Sequence, residues 1–282
     1  MKPSTVLAFM RAVLMAGGSL TALAAYIVAW PFGVRARGMV TRVLGVFYCR
    51  AGGFRLTVHG APDRRDPVLY VCNHLSYLDI IVVGSVVPAN FVSKAEVVDW
   101  PVIGLMARLN DTILIDRQVR GMRAQCAALR RHLETGHSLI LFPEGTSGGG
   151  NRMLPFRSSL FDVADATHND VPVRVQPVSL AYTRLNGCPV TRWQRPFFAW
   201  YGDMPLAEHL WFCLGLGRAG VELIFHEPVQ LADFPSRKAL ASHCERQVGR
   251  GVADALAGRL DRLPAPGAAA DRGAAAASAG SA

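Results

Sequence analysis

Residues Val68-Leu-Tyr-Val-Cys-Asn-His-Leu-Ser-Tyr-Leu-Asp79 begin as an apolar run and end in polar side chains. The run from Val68 to Cys72 predicts a buried strand, and a second apolar run over residues 80–87 predicts a helix. A histidine and a carboxylate at the carboxyl end of a strand stand where open α/β sheets usually place their chemistry. We therefore expect this strand end to carry the functional site.

The spacing of His74 and Asp79 limits how the two side chains can meet. Five residues on an ideal helix turn through about 500°, which would place the side chains about 140° apart. They can meet only if His74 lies in the turn and Asp79 in the helix that follows. The carboxylate would then fix the imidazole tautomer and make the ring a better base. The alternative is a histidine at a helix entry with an unrelated surface aspartate.

The composition is both apolar and basic. Of 282 residues, 51% are hydrophobic and 18% are charged, and the formal net charge is +9. The arginines are scattered, without zinc-finger spacing, an RNP-like motif or a dense basic stripe, so we expect no nucleic-acid partner. Apolar and basic segments side by side favour an anionic membrane surface. The six cysteines lack CxxC pairs and the eight histidines lack ligand spacing, which predicts reduced, mostly buried cytosolic thiols and no metal site.

The N-terminal segment is uncharged over residues 12–34, long enough to span or nearly span a bilayer. The arginines that follow this run are Arg35, Arg37, Arg42 and Arg50. This basic excess favours a cytoplasmic location for the rest of the chain. A cleaved signal peptide, a membrane hairpin or interfacial helix pair over about residues 5–50, and a buried helix of a soluble fold all remain open. We assign residues 1–50 to a membrane-anchoring segment.

Strands and helices alternate through residues 51–262, which we assign to one catalytic domain. Predicted strands cover residues 54–59, 68–72, 91–94, 112–115, 138–142, 173–180 and 221–225. Predicted helices cover residues 80–87, 97–109, 122–136, 158–166 and 236–260. Pro177 predicts a bulge or an edge position for its strand. The alternation predicts an α/β fold with a largely parallel sheet flanked by helices, followed by a disordered Ala/Gly-rich tail over 263–282.

Polar residues follow three of the predicted strands: Asn73-His74, Asp116-Arg117 and Glu144-Gly145-Thr146. If the strands are parallel, these residues converge at one edge of the sheet. The forked donor of arginine matches phosphate oxygens. A glycine turn lets backbone N–H groups approach an anion. The combination favours a phosphorylated alcohol as the substrate.

Four blocks of sequence carry these residues in order. They are Asn73-His74-xxxx-Asp79, Ile113-Leu-Ile-Asp-Arg117, Phe142-Pro-Glu-Gly-Thr146 and Val171-Pro-Val-Arg-Val-Gln-Pro177. Together they resemble the glycerolipid acyltransferases, above all bacterial 1-acyl-sn-glycerol-3-phosphate acyltransferases. The resemblance implies that family's fold and transfer of a fatty acyl group from acyl-CoA or acyl-ACP to the free sn-2 hydroxyl of 1-acyl-sn-glycerol-3-phosphate, giving phosphatidic acid. It also implies no bound cofactor and a location at the cytoplasmic side of the bacterial inner membrane.

The resemblance assigns roles to individual residues. It implies that His74 is the general base for the substrate hydroxyl and that Asp79 orients it. The predicted substrate-binding residues are Asn73, Arg117, Glu144, Gly145, Thr146 and Arg157. The expected partners are a lysophospholipid, an acyl thioester and the anionic inner leaflet of the membrane, with acyl carrier protein as a candidate donor protein.

One position departs from the family pattern. Many members have arginine after Glu-Gly-Thr, whereas this chain has Ser147. Arg152 or Arg157 could supply the missing charge. The pattern Glu-Gly-Thr-Ser followed by Pro-Phe-Arg-Ser-Ser-Leu-Phe161 also resembles a bacterial branch that includes lyso-ornithine lipid acyltransferases, whose acceptor has no phosphate. The acceptor therefore stays open between the two classes.

For several of these residues a structural role, without substrate contact, stays open. Arg117 could cap its strand or pair with Asp116, and Glu144 could orient the turn without touching substrate. Residues 148–150 could form a flexible loop rather than a phosphate cradle. A lipid esterase or thioesterase is disfavoured because no GxSxG motif occurs. A non-catalytic lipid-binding protein is disfavoured by the intact His74–Asp79 pair.

Overall fold

The computed structural model describes residues 2–65, 67–94, 113–115 and 122–260. The α-helices in these residues are α1 Thr5–Ala29, α2 Val34–Gly52, α3 Tyr77–Gly84, α4 Met122–Glu134, α5 Leu206–Gly215 and α6 Arg237–Leu256. The strands are β1 Phe54–His59, β2 Val68–Cys72, β3 Asn90–Lys94, β4 Ile113–Ile115, β5 Leu139–Leu141, β6 Thr167–His168, β7 Val171–Pro172, β8 Arg174–Leu185, β9 Cys188–Pro189 and β10 Ala219–Phe225. The predicted helix over 97–109 and the predicted tail over 263–282 lie outside the described residues.

One sheet forms the centre of the structure that follows α2. Its strands follow the order β1-β10-β8-β2-β5-β3-β4, and β9 pairs with the end of β8. Neighbours along this path are parallel except β8 and β10, which are antiparallel. Apolar cores lie on both faces, one under α3 and α5 and the other under α4 and α6. The predicted α/β fold with a largely parallel, helix-flanked sheet is confirmed.

The position of strand β2 in the sheet explains why each of its five residues is apolar. Val68, Tyr70 and Cys72 belong to the first core, whereas Leu69 and Val71 belong to the second. Successive side chains of a strand point to opposite faces, so a strand covered on both faces must be apolar throughout. All five residues are buried accordingly. Five of the six cysteines are also buried, as free thiols.

Strand β8 lies in the middle of the sheet, so the predicted edge position is wrong, whereas the alternative of a bulge in this strand is confirmed, although the bulge does not lie at Pro177. Pro177 pairs with β2 on one side, and pairing with β10 begins one residue later, at Val178. On that second side the carbonyl oxygen of Pro177 accepts the N–H of His226 at 3.0 Å, just beyond β10. The missing N–H of proline faces the same side, where the β10 ladder has already ended, so no ladder bond is lost. The register irregularity between β8 and β10 lies further along β8, at Thr183, which has no partner between the pairs Arg184–Gly220 and Tyr182–Val221.

Helices α1 and α2 pack against each other as a hairpin, which is one of the arrangements expected for residues 5–50. The turn at Trp30–Phe32 ends at Gly33, whose φ of 87° favours glycine. The segment Thr5–Phe32 has a mean hydropathy of 1.9 in its most apolar window, and 6% of that window is buried. It is a candidate membrane span by length and composition. The alternative of a buried core helix is wrong for this segment.

Arg11 connects the hairpin to the end of α5. Its guanidinium donates to the carbonyl oxygens of Leu214, Leu216 and Gly217 at 3.0, 2.6 and 3.1 Å. The N–H of Ser4 adds a bond to the Gly215 carbonyl at 2.9 Å. Both the beginning of α1 and the end of α2, which runs into β1, therefore lie against the sheet domain.

Candidate active site

The local fold brings His74 and Asp79 together. Strand β2 ends at Cys72, His74 lies in the turn, and Asp79 lies in the first turn of α3 behind the N-cap residue Ser76. His74 Nδ1 lies 2.9 Å from Asp79 Oδ2. The arrangement that their spacing requires, with the histidine in the turn and the aspartate in the helix, is the one that the structure has.

The carboxylate of Asp79 is fully buried and hydrogen-bonded through both oxygens. Oδ2 also accepts the backbone N–H groups of Leu75 and Ser76, at 2.5 and 2.8 Å. Oδ1 accepts the hydroxyl of Tyr182 at 3.0 Å. Because the carboxylate is the acceptor for its partners, Nδ1 of His74 carries a proton, and Nε2 is the basic nitrogen of the neutral ring.

His74 lies in the wall of a cleft that Tyr182 and Arg195 also line. Its side chain is 20% exposed. One face of the ring stacks on Phe142, with centroids 4.1 Å apart. Nε2 makes no hydrogen bond to any residue that the structure describes. The imidazole is thus held at one edge and free at the other, as proton transfer from a bound hydroxyl requires.

Glu144 lies beneath the turn and binds backbone through both carboxyl oxygens. Oε1 accepts the N–H of His74 at 3.1 Å, and Oε2 accepts that of Leu154 at 3.3 Å. Burial raises the pKa of Glu144 to about 8; the two N–H bonds oppose this rise, and the nearby carboxylates of Asp79 and Glu245 add to it. The carboxyl group fixes the backbone of His74, which is the orienting role that the sequence left open.

The turn after β5 requires glycine at Gly145. Its φ is 72°, and a Cβ built there would lie 3.0 Å from the guanidinium of Arg157. Arg157 is exposed, and its N–H donates to the Pro143 carbonyl at 2.9 Å. Thr146 is exposed as well. These three predicted binding residues lie together beside the cleft rather than in its wall, and their contact with substrate stays a prediction.

Asn73 also lines the cleft, but its side-chain amide is already engaged. Its Nδ2 donates to the Leu180 carbonyl at 2.9 Å, and its Oδ1 accepts the Leu180 N–H at 2.8 Å. This pair of bonds joins the end of β2 to β8 and favours a positioning role over substrate contact. Arg117 lies outside the described residues, so its predicted contact stays a prediction.

The glycine run over residues 148–150 is packed into the site. The N–H of Gly148 donates to the His74 carbonyl at 2.9 Å. Gly150 has φ of 80°, and a Cβ there would lie 3.1 Å from the carbonyl oxygen of Arg195. Ser147 donates its hydroxyl to the Trp200 carbonyl. This loop therefore joins the turn that carries the base to the segment around residues 195–200.

Sequence reasoning missed three residues of this site: Tyr182, Arg195 and Trp200. Tyr182 binds Asp79, Arg195 lines the cleft, and Trp200 donates its N–H to the Leu75 carbonyl at 2.9 Å. All lie more than 100 residues after His74, so no local spacing connects them to it. The one available signal was a tyrosine in an apolar strand, because a buried tyrosine hydroxyl needs a hydrogen-bond partner.

The fold and the geometry of this site define a class of protein. A buried carboxylate that holds an imidazole at the carboxyl end of an α/β sheet has the arrangement that a general base for a bound hydroxyl or water requires. Within the described part of the chain, no three His, Cys, Asp or Glu side chains are grouped to hold a metal ion. The class is therefore that of an α/β enzyme with a His–Asp base facing a cleft.

Comparison with known proteins narrows this class. The family model described as Acyltransferase matches residues 55–181, which include His74 and Asp79. A lyso-ornithine lipid O-acyltransferase of Brucella abortus (strain 2308) is 40% identical over 214 residues, 74% of this chain and 80% of that protein. A 1-acyl-sn-glycerol-3-phosphate acyltransferase of Neisseria gonorrhoeae is 32% identical over 199 residues, 69% of this chain and 72% of that protein.

A solved structure shares the fold. The crystal structure of the 1-acyl-sn-glycerophosphate acyltransferase PlsC from Thermotoga maritima aligns with a TM-score of 0.58 and 24% identity, covering 89% of this chain and 94% of that one. The chain belongs to the glycerolipid acyltransferase family that its four sequence blocks resemble.

Proposed function

We propose that this protein is a lyso-ornithine lipid O-acyltransferase, which moves a fatty acyl group from an acyl thioester to a hydroxyl of a lyso-ornithine lipid. The relative that carries this name is more similar, at 40% identity, than the relative named for 1-acyl-sn-glycerol-3-phosphate, at 32%. Lysophosphatidate, the acceptor that the motifs first favoured, becomes the second candidate.

The observation that carries this choice is that residue 147 is a serine rather than an arginine. The resemblance leads us to expect a phosphate-binding arginine here, but Ser147 is uncharged and its hydroxyl is bound to the backbone of Trp200. An ornithine headgroup has a carboxylate and an amine but no phosphate. A site without this arginine therefore suits ornithine better than glycerol phosphate.

The chemistry proposed is direct transfer between two bound substrates. Nε2 of His74 takes the proton of the acceptor hydroxyl while its oxygen attacks the thioester carbonyl. The carbon–sulfur bond then breaks, and the departing thiolate takes the proton from the imidazolium. Asp79 stabilises that imidazolium from the opposite edge of the ring, at 2.9 Å. Base catalysis of this kind contributes about 10²–10⁴-fold, and alignment of the two substrates contributes further.

The acyl donor is acyl-CoA or acyl-ACP. The thiolate is a good leaving group, so the proposed attack needs no bound cofactor and no metal. This leaves the chain's own residues to bind, align and deprotonate the acceptor.

The hairpin α1–α2 places this chemistry at the membrane, in our proposal. Its exposed apolar residues include Phe9, Val13, Leu20, Val28 and Phe32. Both ends of the hairpin are fixed to the catalytic domain. If α1 crossed the bilayer, α2 would therefore have to cross back. That crossing would place the four arginines of α2 in the bilayer, which is energetically costly. A hairpin inserted into one leaflet avoids this cost. The basic flanks favour the anionic inner leaflet of the bacterial cytoplasmic membrane, with the catalytic domain on the cytoplasmic side.

The second candidate, acylation of 1-acyl-sn-glycerol-3-phosphate, is supported by a different observation. Arg152 lines the cleft that contains His74 and carries a charge that could meet a phosphate. The relative from Neisseria gonorrhoeae and the four sequence blocks also favour this acceptor.

An acceptor panel tests the proposal. The full-length protein is assayed in detergent or vesicles with one acyl-CoA and, in turn, lyso-ornithine lipid, lysophosphatidate and no acceptor. We expect the highest kcat/KM with lyso-ornithine lipid. A higher kcat/KM with lysophosphatidate would replace the proposal by the second candidate. Equal thiol release without acceptor would indicate a thioesterase.

A further inference from the structure

The cleft beside His74 carries an excess of positive charge. Two arginines, Arg152 and Arg195, line it. Among the described residues of its wall, the one acid is Glu144, and both of its carboxyl oxygens already accept backbone N–H groups. A ligand that enters this cleft therefore meets two guanidinium groups and no competing free carboxylate.

Arg195 differs from the arginines that hold the fold together. Arg11 donates to three carbonyl oxygens, and Arg174 forms an ion pair with Asp63. The Nε of Arg195 is buried and has no hydrogen-bond partner. No ion pair to another described residue involves its guanidinium. Buried N–H groups without an acceptor are rare in folded proteins, and a planar guanidinium is the donor best matched to a carboxylate or phosphate.

The backbone around Arg195 is fixed beside the catalytic turn. Its N–H donates to the Thr191 carbonyl at 3.2 Å, and its own carbonyl oxygen packs against Gly150. A few residues later, the Trp200 N–H binds the Leu75 carbonyl, next to the base. The backbone of Arg195 is therefore fixed beside the turn that carries His74.

Arg195 also lies outside residues 55–181, the part of the chain that the family model matches. The base, its carboxylate and the glycine turn lie inside that part. Arg195 therefore lies beside the shared machinery without being part of it.

We propose that Arg195 binds the acid group of the acceptor headgroup and so selects acceptors that carry one. This inference rests on the proposed function and adds the residue that recognises the headgroup. The acid is the carboxylate of a lyso-ornithine lipid or the phosphate of lysophosphatidate. Both are anions with two or more oxygens, which can accept two parallel N–H bonds from one guanidinium.

The test compares acceptors with and without the acid. Full-length wild type, Arg195→Gln, Arg195→Lys and the exposed control Arg192→Gln are assayed with acyl-CoA against lyso-ornithine lipid and its carboxylate methyl ester. Losing a hydrogen bond to a charged group changes affinity about 10- to 100-fold. We expect Arg195→Gln to raise KM for the free acid by about this factor, with kcat within a few-fold. Arg195→Lys should recover part of the loss, and Arg192→Gln should behave as wild type.

The methyl ester separates recognition from folding. In wild type its KM should already be raised, and Arg195→Gln should not raise it further. A KM for the free acid within about twofold of wild type in Arg195→Gln would overturn the proposal. An equal rise for acid and ester would indicate a merely structural role and overturn it as well.

Failure of the proposed acceptor is distinguishable from failure of this inference. If wild type transfers to lysophosphatidate instead, the same comparison with an uncharged monoacylglycerol replaces the ester pair. If wild type transfers to neither lysolipid, the proposed function fails, and binding of each lysolipid to wild type and to Arg195→Gln, measured by thermal stabilisation, decides the role of Arg195. Weaker stabilisation of the variant by the acid alone supports the inference, and equal stabilisation contradicts it.

Discussion

Replacing Asp79 by asparagine separates the charge of this carboxylate from its shape. The amide oxygen can take the place of Oδ2 and accept from His74 Nδ1 and from the N–H groups of Leu75 and Ser76. The amide nitrogen then takes the place of Oδ1 and faces the Tyr182 hydroxyl, which can turn to accept. Each hydrogen bond and the tautomer of His74 are kept, so the variant loses the negative charge alone.

The lost charge matters when the imidazole takes the proton. Unit charges about 4 Å apart interact by about 4 kcal/mol at an effective dielectric constant near 20. If half to all of this is realised in the transition state, kcat falls by roughly 30- to 1000-fold. Stability should fall by about 1–2 kcal/mol, because charged hydrogen bonds become neutral ones. Asp79→Ala instead leaves two buried backbone donors unpaired and should cost about 3–5 kcal/mol.

The assay is release of free thiol from acyl-CoA in the presence of lysolipid acceptor, with urea unfolding of the same preparations. Asp165→Asn, which changes a carboxylate that is 65% exposed, is the matched control and should leave both measurements near wild type. Rates for Asp79→Asn within about threefold of wild type would refute the reasoning, since the imidazolium would not need the carboxylate. A stability loss equal to that of Asp79→Ala would refute the retained hydrogen-bond pattern.

Further predictions concern the groups around this pair. Tyr182→Phe removes one donor to the carboxylate and should lower the free energy of unfolding by about 1 kcal/mol while changing kcat less than about tenfold. Glu144 has a folded pKa of about 8, above its ordinary value of 4.5. The folded state therefore keeps a proton that the unfolded state loses, and stability falls as pH rises between these values. Glu144→Gln should remove roughly 3 kcal/mol of that fall between pH 5 and 8, measured by urea unfolding at both pH values. Gly145→Ala, at φ of 72° and with Arg157 3.0 Å from the new Cβ, should cost about 1–2 kcal/mol and shift the turn, seen as a lower Tm and a reduced rate. Arg11→Met leaves three carbonyl oxygens without their donor and should cost about 2–4 kcal/mol, with hydrogen exchange increasing at the end of α5.

The contact between His74 and Asp79 could be predicted from sequence because its geometry is local. A buried strand, a turn and a helix N-terminus fix His74 and Asp79 within a few residues, and helical geometry alone decides whether they can meet. Ser76 as N-cap and Asp79 in the first turn of α3 form a capping box, so the same residues that start the helix also position the base.

Long-range pairing could not be predicted in the same way. The sheet places β8 between β2 and β10. Pro177 gave a misleading signal of an edge strand because its missing N–H falls just where the β10 ladder ends. Tyr182 reaches Asp79 from 103 residues away, and Arg11 reaches the carbonyl oxygens after α5 from more than 200 residues away. Contacts of this kind depend on strand order, which residue spacing does not encode.

The residues around the proposed headgroup site also depend on long-range packing that the sequence does not reveal. The motifs predicted a phosphate contact at Arg117, which lies outside the described residues, and at the glycine turn, with Arg152 or Arg157 as a further charge. Among the described residues, the cleft beside His74 is lined by Arg152 and also by Arg195, which no motif indicated. Arg195 follows β9 and carries no motif of its own. Its closeness to His74 arises from the packing of the glycine run against the segment around residues 195–200.

The most direct measurement is the initial rate of acyl transfer by His74→Ala in the full-length, vesicle-bound protein, beside wild type and the exposed control His137→Ala. Matched unfolding temperatures would establish that all three proteins are folded. If Nε2 of His74 takes the proton of the lipid hydroxyl, His74→Ala should lose at least about 100-fold in kcat while His137→Ala keeps it. A His74→Ala rate near that of wild type would contradict the role of this imidazole as the base.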